Sequence, residues 1–406
     1  TLMALMPVEE ALSRVTGDAT PVARTETLPL SEAAGRVLAR DLVALRTQPP
    51  FSASAMDGYA VRSADVQEPG AELALIGESA AGHGFEGKLE AGQAVRIFTG
   101  APLPKGADSI VIQEDTEKLK DGRVRMTVAA PEGKHIRLAG VDFTEGRAGL
   151  SAGRLLDPGA ITLAAAMNHP EVEVYARPKV GILATGDELK LPGEELGPGQ
   201  IIASNTFGIG AMVRTSGGEI IDLGIAEDRM EALDAALDSA VAQGADVLVT
   251  IGGASVGDHD LVQTALKNRG MDLDFWKIAM RPGKPLMSGR LGELKVLGLP
   301  GNPASSLVCG YLFLEPLVAL LAGRPAPHRI QKAFLGNALE ENGERQDYIR
   351  GRLSLNADGQ TVASSFQLQD SSLMSVFADA DCLIIRPPFA PAAHTGDQTD
   401  VLVLSA

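Results

Sequence analysis

With 406 residues, 45% of them apolar and 22% charged, the chain has the composition of a soluble globular protein. It is too long for one ordinary core, so two to four domains are expected. A formal net charge of −16 argues against nucleic acid or an anionic membrane surface as partner, because both select basic stripes.

The chain opens with Val8, Leu12 and Val15 on one face of a short helix over residues 7–16, with Pro7 at its start. A second helix is expected after Ser31, through Ala33, Ala34, Val37 and Leu38. Pro49-Pro50 opens an extended segment, and Asp57-Gly58 is a tight-turn signal. Spacing alone reads this as a β-hairpin whose Asp satisfies its own turn. The functional alternative is that Ser54 and Asp57 present a hydroxyl and a carboxylate from a stiff loop. Strands at 73–76, 94–98, 109–113 and 124–128 then describe a small β module, and Arg137 and Asp142 read as an ordinary surface pair. A helix over 157–167, a strand at 171–175 and a hinge at 177–179 follow. Residues 46–142 are therefore assigned to an inserted β domain. Residues 1–45 and 143–178 form one discontinuous N-terminal linker or dimerisation domain.

From Lys179, four apolar runs each break into a polar turn. These are Val180–Ala184 before Thr185-Gly-Asp-Glu188, and Asp246–Ile251 before Gly252-Gly-Ala-Ser-Val-Gly-Asp-His-Asp260. Then come Phe275–Met280 before Arg281-Pro-Gly-Lys-Pro285, and Lys295–Leu299 before Pro300-Gly-Asn-Pro303. With helices expected at 205–216, 229–242, 260–268 and 303–321, residues 179–327 read as an α/β domain with a mostly parallel sheet. Ligands of such sheets bind outside the carboxyl ends of the strands, where these turns lie. The apolar stretch 307–322 is interrupted by Glu315 and Pro316 and is read as a core helix rather than a membrane span. The tail, 328–406, alternates again at 346–355, 361–365, 381–385 and 401–404, a second all-β module. The start shows no charged region followed by an apolar run, and Cys309 and Cys382 lack metal-ligand spacing, so buried thiols in a cytoplasmic protein are expected.

Several turns carry anion-binding chemistry. Gly252-Gly253 lets backbone N–H groups approach a ligand closely, and Ser255 adds a hydroxyl. Gly283 with Lys284 offers a point charge, and Asn302 and Ser305 stand at a helix N-terminus. Asp187, Glu188, Asp228, Asp258 and Asp260 gather in loops at the same edge, a density that fits Mg²⁺ held jointly by carboxylates and ligand phosphates. Helix capping by Asp228 and Asp260 is the plainer alternative. Walker A and Ser-His-Asp arrangements are missing, so no covalent mechanism is suggested.

Six motifs stand in one order: Ser54-Ala-Met-Asp-Gly-Tyr-Ala60, Thr99-Gly-Ala-Pro102, Thr185-Gly-Asp-Glu188, Gly252-Gly-Ala-Ser-Val-Gly-Asp258, Pro282-Gly-Lys-Pro285 and Leu299-Pro-Gly-Asn-Pro303. In this the chain resembles, over essentially its whole length, the MoeA family of molybdopterin molybdenumtransferases, to which the E domain of gephyrin is similar. The resemblance implies an elongated homodimer of four-domain subunits, with a central MogA-like three-layer domain and a C-terminal β-barrel-like domain. It implies a cleft between the central domain of one subunit and the β modules of the other. The implied activity is insertion of molybdate into adenylylated molybdopterin with release of AMP, supported by Mg²⁺. The adenylyltransferase of the same pathway is a candidate partner.

Matched by motif, Asp57, Thr99, Asp142, Glu188, Asp228 and Asp260 look like the polar and acidic cleft residues. Lys277, Arg281 and Lys284 look like the basic groups facing phosphate or molybdate. Thr185, Gly186, Asp187, Gly252, Gly253, Ser255, Pro282, Gly283, Pro300, Gly301 and Asn302 are expected around the pterin substrate. The oxyanion site falls near Lys284, Ser305, Arg350 and Ser371, and Asp187, Glu188, Asp258 and Asp260 are the expected metal ligands. Arg281 stands where a Lys is common, and Arg prefers forked contacts. Two rival functions are molybdopterin adenylylation by ATP, which the central domain alone resembles, and a non-catalytic gephyrin-like scaffold.

Overall fold

The computed structural model describes residues 5–252, 261–275 and 277–404. The chain forms two compact units, Thr27–Val174 and a larger one made of the N-terminal 26 residues with Tyr175–Ala406.

The smaller unit contains the inserted β module. Its sheet runs in the order Ser109–Ile112, Gly58–Val61, Gln93–Ile97, Glu72–Ser79, Arg123–Met126, Thr116–Lys118. The expected hairpin at Asp57 is not formed. Ala53–Ser54 pairs instead with Ile136–Arg137, while Gly58–Val61 enters the sheet between two other strands. The reason is burial: all four residues of Gly58–Val61 are buried, so this strand needs neighbours on both sides. At Gly58 any Cβ would fall 2.0 Å from the Val111 carbonyl oxygen, so only glycine fits. Asp57 therefore sits on a turn that crosses from one sheet to another.

The second expected helix is also replaced. Leu30–Glu32 make a single 3₁₀ turn, Gly35 takes a left-handed φ of 71°, and Val37 and Leu38 bridge to Leu155 and Val174. The left-handed residue ends any helical path. Leu42–Val43 pairs with Ala148–Leu150, and Asp157 caps helix Pro158–Ala166 by accepting from Ala160 N–H at 2.8 Å.

In the larger unit, helix Val8–Thr16 buries Val8, Ala11 and Val15 in the same core as Val180, Val249 and Leu297. That packing places the chain's first 26 residues with the α/β unit. The central sheet runs Glu219–Ala226, Lys179–Thr185, Val247–Ile251 and Leu294–Leu299 in parallel, then Met287–Leu291 and Asp272–Phe275, each antiparallel to its predecessor. Every residue of Val247–Ile251 is buried, the continuous apolar run that parallel strands covered on both faces require.

The segment 275–280 is not one central strand. Asp272–Phe275 is the outer strand of the antiparallel edge, and Met280–Arg281 leaves the sheet to pair in parallel with Gln346–Asp347. Strands Met287–Leu291 and Ile330–Leu335 add to those expected from the sequence.

The helical stretch Pro303–Leu321 is long and apolar enough by composition to cross a membrane, yet 72% of it is buried inside the molecule. It runs as Pro303–Cys309, a π-helical turn at Gly310–Leu314 and Glu315–Leu321. The tail closes a five-stranded barrel: Gln346–Leu355 pairs with Thr361–Ser365 and Cys382–Arg386, and Ile330–Leu335 and Gln398–Val403 complete the ring. The multidomain α/β-plus-β class read from the sequence is the observed one.

Candidate active site

Candidate site residues gather in both units. In the smaller unit, Asp57 accepts two hydrogen bonds on Oδ1, from Thr99 N–H at 2.8 Å and Thr99 Oγ1 at 2.9 Å. These donors, and then the Arg96 guanidinium, hold the carboxyl below its ordinary range, so it is ionised at neutral pH. The turn is stiffened from below. Buried Ser54 donates to Met56 O at 2.5 Å, and Ser54 N–H and C=O pair with Ala101 O and Gly100 N–H. Arg96 stacks against the rings of Tyr59 and Phe98, 5.0 and 4.8 Å from their centroids, and donates to Gly58 O. Asp142 is exposed on the segment that runs antiparallel along 48–54, bridged by Ile136↔Ser54 at one end and Gln48↔Phe143 at the other. It shares the ribbon with Asp57 but stands at the opposite end.

In the larger unit, the carboxyl ends of the parallel strands converge. Gly252, at φ 96°, approaches so closely that a Cβ would lie 2.7 Å from Thr185 O, and Gly301 faces Gly252 in turn. Thr185 Oγ1 and Thr250 Oγ1 are buried there with no hydrogen-bond partner among the described residues. Asp228 N–H donates to Asp187 Oδ1 at 2.9 Å. Burial, and then the Asp187 and Glu188 carboxylates, push the Asp228 carboxyl above its ordinary range.

A carboxyl raised by folding binds its proton more tightly folded than unfolded. Its stabilisation is present below the unfolded value and is lost as pH rises through the raised folded value. Asp228→Asn should therefore raise the melting temperature at pH 7, and the gain should vanish below the ordinary carboxylate range. A thermal melt series across pH checks this, and no gain at pH 7 counts against the crowded-acid reading.

A second cluster lies at the N-terminus of helix Pro303–Cys309. Asn302 Nδ2 donates to Ser371 Oγ at 3.1 Å, Ala304 N–H to Ser371 O at 3.0 Å, and Asn205 Nδ2 to Gly301 O at 2.8 Å. Ser305 is buried beside them. Arg350, only 1% exposed, has Nε 3.3 Å from Gln369 Oε1 and Nη1 3.4 Å from Leu373 O. Burial pushes this guanidinium below its ordinary value, with Asp370 opposing. A buried cation held by two long bonds to neutral oxygens is short of negative charge.

The turn at Pro282–Pro285 packs against the same helix. Gly283, at φ 103°, would place a Cβ 2.6 Å from Cys309 Sγ, and Lys284 is exposed on its outer side. Arg281 forks onto Asp347, with Nε 3.0 Å from Oδ1 and Nη2 on Oδ2.

Family comparisons agree along the chain. Residues 6–168 match the MoeA N-terminal region (domain I and II), 181–319 a probable molybdopterin binding domain, and 332–404 the MoeA C-terminal region (domain IV). A molybdopterin molybdenumtransferase from Haemophilus influenzae is 36% identical over 385 residues, 94% of each chain. The chain belongs to the MoeA family of molybdopterin molybdenumtransferases.

The Bacillus subtilis member of that family is 32% identical over 98% of this chain and 94% of its own. The solved MoeA protein of Pyrococcus horikoshii superposes with a TM-score of 0.84 at 27% identity, covering 98% of this chain and all of that one.

Measured against the expected MoeA constellation, the structure joins Asp57 to Thr99, Asp187 to Asp228, and Asn302 to Ser371. It turns the Arg281 fork onto Asp347. Gly253, Ser255, Asp258, His259 and Asp260 lie outside the described residues. Among the described residues no three His, Cys, Asp or Glu side chains are arranged to hold a metal ion. Three residues at the site were not singled out from sequence. Arg96 and Asp347 carry no local motif, because their partners lie 38 and 66 residues away. Gln369 lies within the Phe366–Ser371 segment, where a glutamine two residues before a site serine was the available hint.

Proposed function

We propose that this chain is a molybdopterin molybdenumtransferase that inserts molybdate into adenylylated molybdopterin, releases AMP, and works as a homodimer with Mg²⁺. The observation that carries the reading is the buried Arg350 guanidinium, hydrogen-bonded to neutral oxygens only, next to the Ser371–Asn302 contact. A small oxyanion supplies the negative charge that this cation lacks and accepts the adjacent hydroxyl and N–H donors. The exposed Lys284 adds charge without fixed geometry.

The chemistry needs no protein nucleophile. Two Mo–S bonds form as the dithiol protons leave with one molybdate oxygen as water, and a second water cleaves the phosphoanhydride to free AMP. Such a reaction is served by positioning and electrostatics. One or two of the crowded Asp187, Glu188 and Asp228 carboxylates would serve a Mg²⁺ shared with substrate phosphates, since this ion takes one or two carboxylates and keeps its remaining ligands as water and substrate oxygens. Bound there, the cation would offset the repulsion that raises Asp228. Exposed Phe51, Met56, Leu138 and Val141 flank the Asp57 ribbon and supply apolar surface that a second copy of the chain would cover.

The test is incubation with adenylylated molybdopterin, molybdate and Mg²⁺, reading AMP release and activation of a molybdenum apo-enzyme. Both should appear, and chelation should suppress them. Formation of adenylylated molybdopterin from molybdopterin and Mg-ATP by this chain alone would instead favour the adenylyltransferase reading.

A further inference from the structure

Asp347 is 7% exposed, on the first barrel residues to meet the Met280–Arg281 strand. The pairing is parallel, with Arg281 opposite Asp347, and is pinned by Gln346 N–H donating to Ala279 O at 2.9 Å. Both Asp347 oxygens are committed to Arg281, one to Nε at 3.0 Å and one to Nη2. This side-on fork fixes the guanidinium plane and leaves Nη1, with its two N–H groups, free of the carboxylate. The Arg281 side chain is 58% exposed while that of Asp347 is 10% exposed, so the buried partner acts as the anchor.

Asp347 does not cancel the positive charge at this turn. On its other side the antiparallel register sets it opposite Arg386, whose Nε is buried without a partner among the described residues. The Arg386 guanidinium turns to the Glu340 and Pro391 carbonyls, so the turn holds two cations, Arg281 and the exposed Lys284, against the one Asp347 carboxylate. Arg281 adjoins Pro282, and Lys284 lies two residues further on, so the surplus charge stands at the turn.

We infer that Asp347 is a positioning residue that aims the Arg281 guanidinium at a tetrahedral oxyanion of the substrates, either molybdate or a phosphate of the pterin. The inference rests on the molybdenumtransferase reading. It explains how an arginine serves at a turn otherwise built on lysine: a long flexible cation becomes a fixed two-donor group once its other edge is clamped.

The experiment is steady-state insertion kinetics on the full chain, titrating molybdate at fixed adenylylated molybdopterin and then the reverse. Asp347→Asn keeps the shape and removes the charge. It should raise KM for one of the two oxyanion substrates by roughly 10-fold while kcat falls less than about 3-fold, as expected for loss of one charge-assisted fork. Arg281→Lys, which loses the fork from the exposed side, should give a similar rise. Asp347→Asn should then add little in that background, because both changes break one unit.

Unchanged KM values in Asp347→Asn, or effects that add fully in the double variant, overturn the inference even where the melting temperature drops. An inactive wild type would instead sink the proposed function.

Discussion

Asp57→Ala is expected to lower kcat/KM for molybdate insertion by about 10²–10³-fold, the range seen when one preorganised polar group is removed from an active site. The carboxylate is exposed and ionised, and Thr99 uses only Oδ1, so Oδ2 keeps its lone pairs for substrate or cation. Because the side chain packs against nothing buried, the melting temperature should stay within a few degrees of wild type. Asp57→Asn separates charge from shape. It retains an acceptor for both Thr99 donors but carries no charge, and it should lose nearly as much activity as the alanine variant. Full activity in the asparagine variant would mean that Asp57 only shapes its loop, and the motif match would then be structural.

The second large effect is on stability. Glu315 is 4% exposed within the long core helix and takes a forked pair from Arg329, with both bonds at 2.6 Å. Arg329 Nη1 also donates to Val403 O and Leu404 O, each at 3.1 Å, and the guanidinium lies 5.1 Å from the centre of the Tyr311 ring. This pair fastens the first and last barrel strands to the helix that supports the candidate site.

Glu315→Ala leaves a largely buried arginine without its counter-charge and should cost about 3–5 kcal/mol. That corresponds to a fall of roughly 10 °C in melting temperature for a unit of this size. Glu315→Leu combined with Arg329→Met should recover most of the loss, since a buried pair replaced as a whole by apolar groups is often neutral. Urea unfolding of the three variants measures both effects. A loss below about 1 kcal/mol in the single variant would show the pair to be solvated and unimportant.

These two residues mark where sequence reading stops. Glu315 was visible as a break in an apolar run, and the helix around it was correctly expected. Its partner was not, because nothing local ties a glutamate to an arginine 14 residues on, in the strand order of a barrel. Asp57 was visible through its Asp-Gly turn and the surrounding motif. Its turn was read as a hairpin because both flanking segments are short and extended. The burial of all four residues in Gly58–Val61 sends the second segment into another sheet. Similarly, one apolar run at 275–280 was divided between an antiparallel edge strand and a barrel pairing, since its two ends bury against different partners.

By itself the amino-acid order determined the α/β-plus-β class, the glycine-rich turns at the ends of Lys179–Thr185, Val247–Ile251 and Leu294–Leu299, and the acidic residues around Thr185. These are local properties: burial on both faces demands unbroken apolar runs, and left-handed or crowded backbone demands glycine. Only the tertiary structure decided that Arg350 is buried with hydrogen bonds to neutral oxygens alone, that Arg281 is clamped by Asp347, and that Ser371 meets Asn302. Each of those depends on which strands pair across 60 or more residues, or on what a side chain fails to find once it is enclosed. Electrostatic energy is set by distance and burial in space, and sequence spacing carries neither.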